Sequence, residues 1–165
     1  MPDLWTDVLT TAPAAEPVSV EDARRNCDLD DTYRDEDLRR WIVYARRQVE
    51  HDARLALINQ TRTLTLHAFP AGEELNLPAV APLVSVTSVT YLDAAGASQT
   101  LTENTEFKID TARRSLWLKY NQDWPDTYGE ANSVVIVYVA GHGTTPADVP
   151  AAARDAIHVL VRHRL

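Results

Sequence analysis

The hydrophobic period of this chain changes twice along its length, and those changes restrict the fold more than any single motif does. From Asp35 to about Leu57, the residues Leu38, Ile42, Ala45, Val49, Ala53 and Ala56 recur at the three- and four-residue spacing of a helix with one buried stripe. From Thr61 the repeat becomes two. Leu64, Leu66 and Ala68 alternate with Thr63, Thr65 and His67 until Pro70 stops the run near Phe69. After Pro150, which the first turn of a helix tolerates, Ala153, Ile157, Leu160 and Val161 restore a helical stripe. A strand-rich block is thus enclosed between helical blocks, which indicates α+β organisation rather than alternating α/β.

Finer signals fill in this outline. Residues 1–17 carry Pro2, Pro13 and Pro17 and read as an extended arm. Ser19 with Asp22 three residues on forms a capping box, with Val18 placed to staple onto Ala23, and predicts a short helix ending near Cys27. Asp35 is the expected cap of the long helix. Within the strand block the expected elements are Glu74–Leu77, Leu83–Leu92, Ser98–Thr102, Glu106–Asp110, Ser115–Tyr120 and Ser133–Ala140. The apolar face of Leu83–Leu92 switches between Val86 and Val89, which requires a bulge or twist. Asp93–Ala97, with Gly96, reads as a hairpin loop. Ser133–Ala140 is almost unbroken in its apolar character and belongs at the centre of a sheet, and the last helix is expected to run to the end of the chain. The expected layout is an arm (1–17), a first bundle segment (18–60), a β-rich insertion (61–145) and a closing helix (146–165). The fold is a small helical bundle of two N-terminal helices and the C-terminal helix, carrying an antiparallel, β-sandwich-like lobe.

Charge narrows the function. There are 24 acidic against 16 basic side chains, a net charge of −8, which argues against a surface that grips nucleic-acid phosphates broadly. Residues 55–110 hold six acids and two bases, whereas 21–54 hold ten and eight, a mixture suited to helices laced by ion pairs. The single Cys27 excludes an internal disulfide and a cysteine-based zinc site. The first residues lack a basic start followed by an apolar core, so secretion is not expected, nor is a membrane span.

Candidate chemistry is sparse. His158 and His163 are five apart on one helix, which does not converge as metal-binding pairs at four do. His51, His67 and His142 have no carboxylate or cysteine at ligand spacing. Cys27 lies among acids, which raise a thiol's pKa. Asp28, Asp30 and Asp31 lack the glycine and closing glutamate of a calcium loop, and Gly141-His142-Gly143 is too short to cradle a phosphate. No catalytic residue, metal site or cofactor is expected. The candidates that remain are for interfaces: Arg39, Arg46 and Arg47 on the long helix, Arg162 and Arg164 at the end of the last one, and Trp124 and Tyr128 in the polar loop 121–132. Trp124 has two readings, an interface contact or a plug folded back onto one end of the sandwich.

The order of several segments is similar to that of the head–tail connector (head completion, or adaptor) proteins of long-tailed bacteriophages. Those segments are Val18–Ala23, the acidic turn Asp28–Asp31, Asp35–Leu38, Leu57–Thr61, Leu83–Asp93, Trp124-Pro125, Val139–Gly143 and Val149–Ala152. The resemblance implies a structural, non-enzymatic virion protein that forms a homo-oligomeric ring, usually a dodecamer, in the neck. It implies contact with the portal on one side and with a stopper or tail protein on the other, and double-stranded DNA passing through the hole. It also implies the virion neck as the final location, with assembly in the host cytoplasm. Relatives often continue past the last helix, so the N-terminal arm is the expected alternative source of portal contact. Two further readings are a neighbouring stopper or tail-completion protein, and a ligand- or glycan-binding sandwich module using Trp117, Trp124 and Tyr128 as a stacking platform.

Overall fold

The computed structural model describes residues 5–78, 80 and 82–165. The chain forms two compact units. One comprises the chain up to Ala12 with Gln60–Ala140, the other Pro13–Asn59 with Gly141–Leu165. The backbone therefore passes from one unit to the other three times, at Ala12/Pro13, Asn59/Gln60 and Ala140/Gly141.

In the helical unit, α1 (Val20–Asn26) starts at Ser19, whose hydroxyl accepts the Asp22 N–H at 3.0 Å and donates to the Asp22 carboxylate at 2.6 Å. Val18 and Ala23 are both buried in the same core, as a hydrophobic staple requires. The long helix α2 (Asp35–Ala53) presents Leu38, Ile42 and Ala45 to that core. It differs from expectation at both ends. Its cap position is Arg34, and the Asp35 carboxylate is taken instead by Arg24, in a two-pronged bond of 3.1 and 2.8 Å. It ends at Ala53 rather than Leu57 because Arg54 turns into the left-handed region (φ 52°) and Leu55 N–H closes onto Glu50 C=O. Glu50's carboxylate then accepts the Leu57 N–H at 3.0 Å, so the residues after the helix are held without continuing it. A 3₁₀ turn (Pro146–Asp148) leads to α3 (Ala151–Arg162), capped by Pro150, with Ile157 and Val161 buried against the same core. This helix stops three residues before Leu165.

Among its described residues the strand unit holds eight strands, where six or seven were expected. A five-stranded antiparallel sheet has the order β1-β2-β8-β4-β5, from β1 (Trp5–Thr11), β2 (Gln60–Leu66), β8 (Val134–Ala140), β4 (Leu83–Leu92) and β5 (Ser98–Leu101). A three-stranded sheet has the order β3-β7-β6, from β3 (Glu74–Asn76), β7 (Ser115–Leu118) and β6 (Phe107–Asp110). The apolar strand β8 is indeed central. Leu64, Ile136 and Val89 stand opposite one another across β2, β8 and β4, all with at most 1% exposure. Burial of each such side chain contributes about 2 kcal/mol. The register of β4 shifts between Val86 and Ser88, at the predicted change of face. The β4–β5 hairpin closes through Gly96 at φ 81°. β2 ends at Leu66, short of the expected Phe69.

The extended-arm reading of residues 1–17 needs correction for the described part. Trp5–Thr11 is a full strand of the sheet, paired with β2 across its length. What fixes it is a buried polar group. Arg62 Nε donates to Asp7 Oδ2 at 2.9 Å, and the Tyr138 hydroxyl donates to Asp7 Oδ1 at 2.9 Å. Burial raises the Tyr138 phenol above its ordinary pKa, and the Asp7 charge adds to the rise. Burial works against the Arg62 cation, but the bond and charge of Asp7 outweigh it and the net shift is upward. A carboxylate thus sits on the inward face of a strand, satisfied by partners more than fifty residues away.

Candidate functional site

The residues singled out as interface candidates divide into three groups. Arg46 is the clearest correction. It lies four residues after Ile42 and so falls on the buried stripe of α2, 3% exposed. Its guanidinium bonds Glu16 at 2.8 Å and Glu50 at 2.7 Å. Burial penalises the charge and the two carboxylates more than offset that, so its pKa rises. A side chain held this way joins parts of its own chain and offers nothing to a neighbour. The i,i+4 spacing of Ile42, Arg46 and Glu50 was the available signal.

Arg39, Arg47, Arg162 and Arg164 are exposed. Arg39 stands at the rim of an apolar groove of about 470 Å³ lined by Val18, Val20, Ile42, Val43 and Pro146. Arg164 lies over the Tyr44 ring, 3.8 Å from its centre, and Tyr44 itself is 46% exposed. Arg162 approaches Asp28 at 3.8 Å on the surface, a contact worth little by itself. The surface of the helical unit thus carries exposed cations and acids together with two exposed aromatic rings, Tyr33 and Tyr44.

The two loop aromatics behave differently from each other. Trp124 folds back, stacked on Phe69 with ring centres 4.9 Å apart and planes within 7°. Its indole N–H donates to Gly72 C=O at 2.8 Å. Phe69 in turn meets Tyr91 edge-on at 5.7 Å. Tyr128 stays 47% exposed and lies against the hairpin glycine, where a Cβ on Gly96 would come within 3.3 Å of its ring. Trp117 spends its N–H on Ser115 at 3.0 Å. With one face of Trp124 covered by Phe69 and both indole donors used internally, the stacking platform imagined for a glycan site finds no support.

Among the described residues no three of His, Cys, Asp or Glu are grouped as metal ligands, and no helix is long and apolar enough to cross a membrane. Burial, with Asp28 adding a smaller effect against Arg162, pushes the Cys27 thiol up; burial rather than the nearby acids is the leading cause.

Sequence reasoning missed two features. One is the Asp7–Arg62–Tyr138 group. The other is that β1 and β5 are the outer strands of an open sheet, with Trp5 43% and Val8 56% exposed on β1. Such edges carry unpaired backbone donors and acceptors, ready for another strand.

No protein-family model and no curated protein matches this sequence. Solved structures do match. A chain in the virion of a native gene transfer agent particle superposes with a TM-score of 0.80 at 23% identity, covering 96% of this chain and 82% of that one. A chain in the neck of the empty particle, computed with C6 symmetry, gives 0.79 at 24% identity with the same coverage. A chain in the neck of the native particle, computed with C12 symmetry, gives 0.66 at 24% identity, covering 94% and 81%. The present fold is one found in the necks of phage-like particles, as the resemblance to connector proteins implied.

Proposed function

We propose, from a fold shared over nearly its whole length with chains of a gene transfer agent neck, that this protein is a head–tail connector of a phage-like particle. It forms a homo-oligomeric ring between the portal and the tail or stopper, has no enzymatic role, and lets double-stranded DNA pass through its opening. The observation that carries this reading is the TM-score of 0.80 across 96% of the chain. The symmetries of the related necks support a ring.

The physics of the chain agrees. A ring through which DNA slides must not hold phosphates, and a net charge of −8 meets that need by weak repulsion. Ring closure needs two different, mutually fitting surfaces on each copy. The exposed Arg39 and Arg47 remain candidates for pairing with an acidic surface of the neighbouring copy in the same ring, Tyr128 for contact with the next ring, and Arg162 and Arg164 for either interface.

Electron microscopy of particles from producing cells tests the assignment. Density for this chain is expected as a ring directly beneath the portal, and deletion of the gene is expected to yield filled heads without tails. Density one ring further along would make it a stopper. Particles complete without the protein would refute the reading altogether.

A further inference from the structure

The five-stranded sheet is open at both sides. Among the described residues, no backbone hydrogen bond reaches β1 from beyond the sheet, and none reaches β5 from its outer side. Natural edges of this kind are guarded by Lys or Pro, by shortness, by bulges or by an inward-turned charge. Here β5 is short, β1 is irregular only near Thr11 and carries the inward Asp7, and neither strand has a Lys, Arg or Pro. The strand Trp5–Thr11 has one charged residue, Asp7, and its side chain is 7% exposed and already satisfied by Arg62 and Tyr138. The strand Ser98–Leu101 has none. The register irregularity of β1 lies between Leu9 and Thr11, which leaves Trp5 to Leu9 regular. In a chain that is 24% charged, two edge strands that present no exposed charge on one sheet are out of keeping with the rest of the surface.

The direction of the strands says what fits. Antiparallel pairing across five strands makes β1 and β5 run the same way. A ring operator turns each copy into the next by a fraction of a turn, so strand direction is kept from copy to copy. β5 of one copy beside β1 of the next is then a parallel pair between two different edges, which is a heterologous contact that propagates. Two β1 edges meeting about a two-fold axis would instead close a dimer and stop.

We infer that the outer edge of β1, whose one charge is turned inward, is a strand-addition site for β5 of a second copy, joining neighbours in the ring through a short parallel ladder of about four residues. This rests on the ring proposed above. Imaging of rings in particles decides that reading independently.

Hydrogen exchange read by mass spectrometry, on assembled necks against the isolated chain, tests the inference. Amides of Trp5–Thr11 and Ser98–Leu101 are expected to slow together by at least about tenfold in the neck. Intact rings with both segments exchanging as in the isolated chain would overturn it. Protection of Trp5–Thr11 alone would also overturn it, because the added strand would then come from another partner. A second arm uses Val8 and Thr100, which are in line, through Thr63 and Thr90, with Val137 and Val135 on one face of β8 and so share that outward face. V8K/T100K is expected to stay folded by circular dichroism yet abolish rings, and V8K/T100E to restore them. Rings formed by V8K/T100K at wild-type yield would refute the contact.

Discussion

At the scale of single residues, the most consequential side chain is Arg46. Replacing it with Met keeps its bulk on the stripe but leaves Glu50, 11% exposed, without its cation. The expected cost is about 3 kcal/mol in urea unfolding. R46M/E50Q is expected to recover part of that, because the orphaned charge is removed as well; equal stability of the single and double variants would mean the carboxylate carries no penalty. Gly141 is a second such point. A Cβ there would stand 2.5 Å from the Asn59 backbone, so Gly141→Ala is expected to cost about 2–3 kcal/mol, read as a lowered melting temperature. Four surface carboxylates, Asp22, Asp52, Asp93 and Asp148, are held below their ordinary pKa, and three of them close a cap or a turn. The Ser19 hydroxyl, with Arg25, lowers Asp22 below the ordinary 3.8. The Gln99 amide and Ala97 N–H do so for Asp93, and the Thr145 N–H and hydroxyl for Asp148. Their folded pKa values lie below the unfolded ones, so their contribution is complete above the unfolded value and is lost as pH falls through the folded one. Melting temperature is expected to change little in these three groups' favour above about pH 5 and to fall below about pH 4. The triple Asp→Asn variant is expected to show a shallower fall.

At the scale of elements, β1 is held by its polar anchor as much as by its ladder. Asp7→Ala strands a partly buried guanidinium and a phenol that is fully inaccessible. We expect a loss of about 2–4 kcal/mol and faster amide exchange throughout Trp5–Thr11, with α2 unaffected. The same element shows where the sequence could be read and where it could not. α1, α2, α3, the bulge in β4 and the central place of β8 were legible because each is signalled locally, by a cap, a stripe or a change of face. β1 was not. Its inward positions are Trp5, Asp7 and Leu9, and an acid there breaks the apolar alternation unless Arg62 and Tyr138 are known to be across from it. Arg46 was read as a surface cation although its i,i+4 spacing to Ile42 and Glu50 placed it on the stripe; only its second partner, Glu16, thirty residues away, left no local signal. Trp124 could have gone either way until Phe69 and Gly72 supplied a stack and an acceptor. Long-range polar partners leave no periodic trace, and these were the positions at which the reading failed.

At the scale of the whole molecule, the two kinds of contact considered for a ring respond oppositely to salt. Pairing of Arg39 and Arg47 with acidic surfaces weakens as ions screen it, whereas backbone ladders between edges with no exposed charge do not. Copies carrying −8 each also repel one another less when screened. Ring yield, counted by mass photometry or microscopy, is expected to hold or rise between about 0.05 and 0.5 M salt. A steep fall would assign the ring to the arginines. The threefold passage of the backbone between units also orders events during synthesis. By the time Ala140 has left the ribosome, every strand exists and the sheet can close. The helical unit still lacks Ile157 and Val161, one wall of its interior, until α3 has been made. A nascent chain abandoned before Ala151 would therefore expose the unfilled, greasy interior of that unit, and chaperones or proteases would have that surface to seize before a defective copy could accumulate.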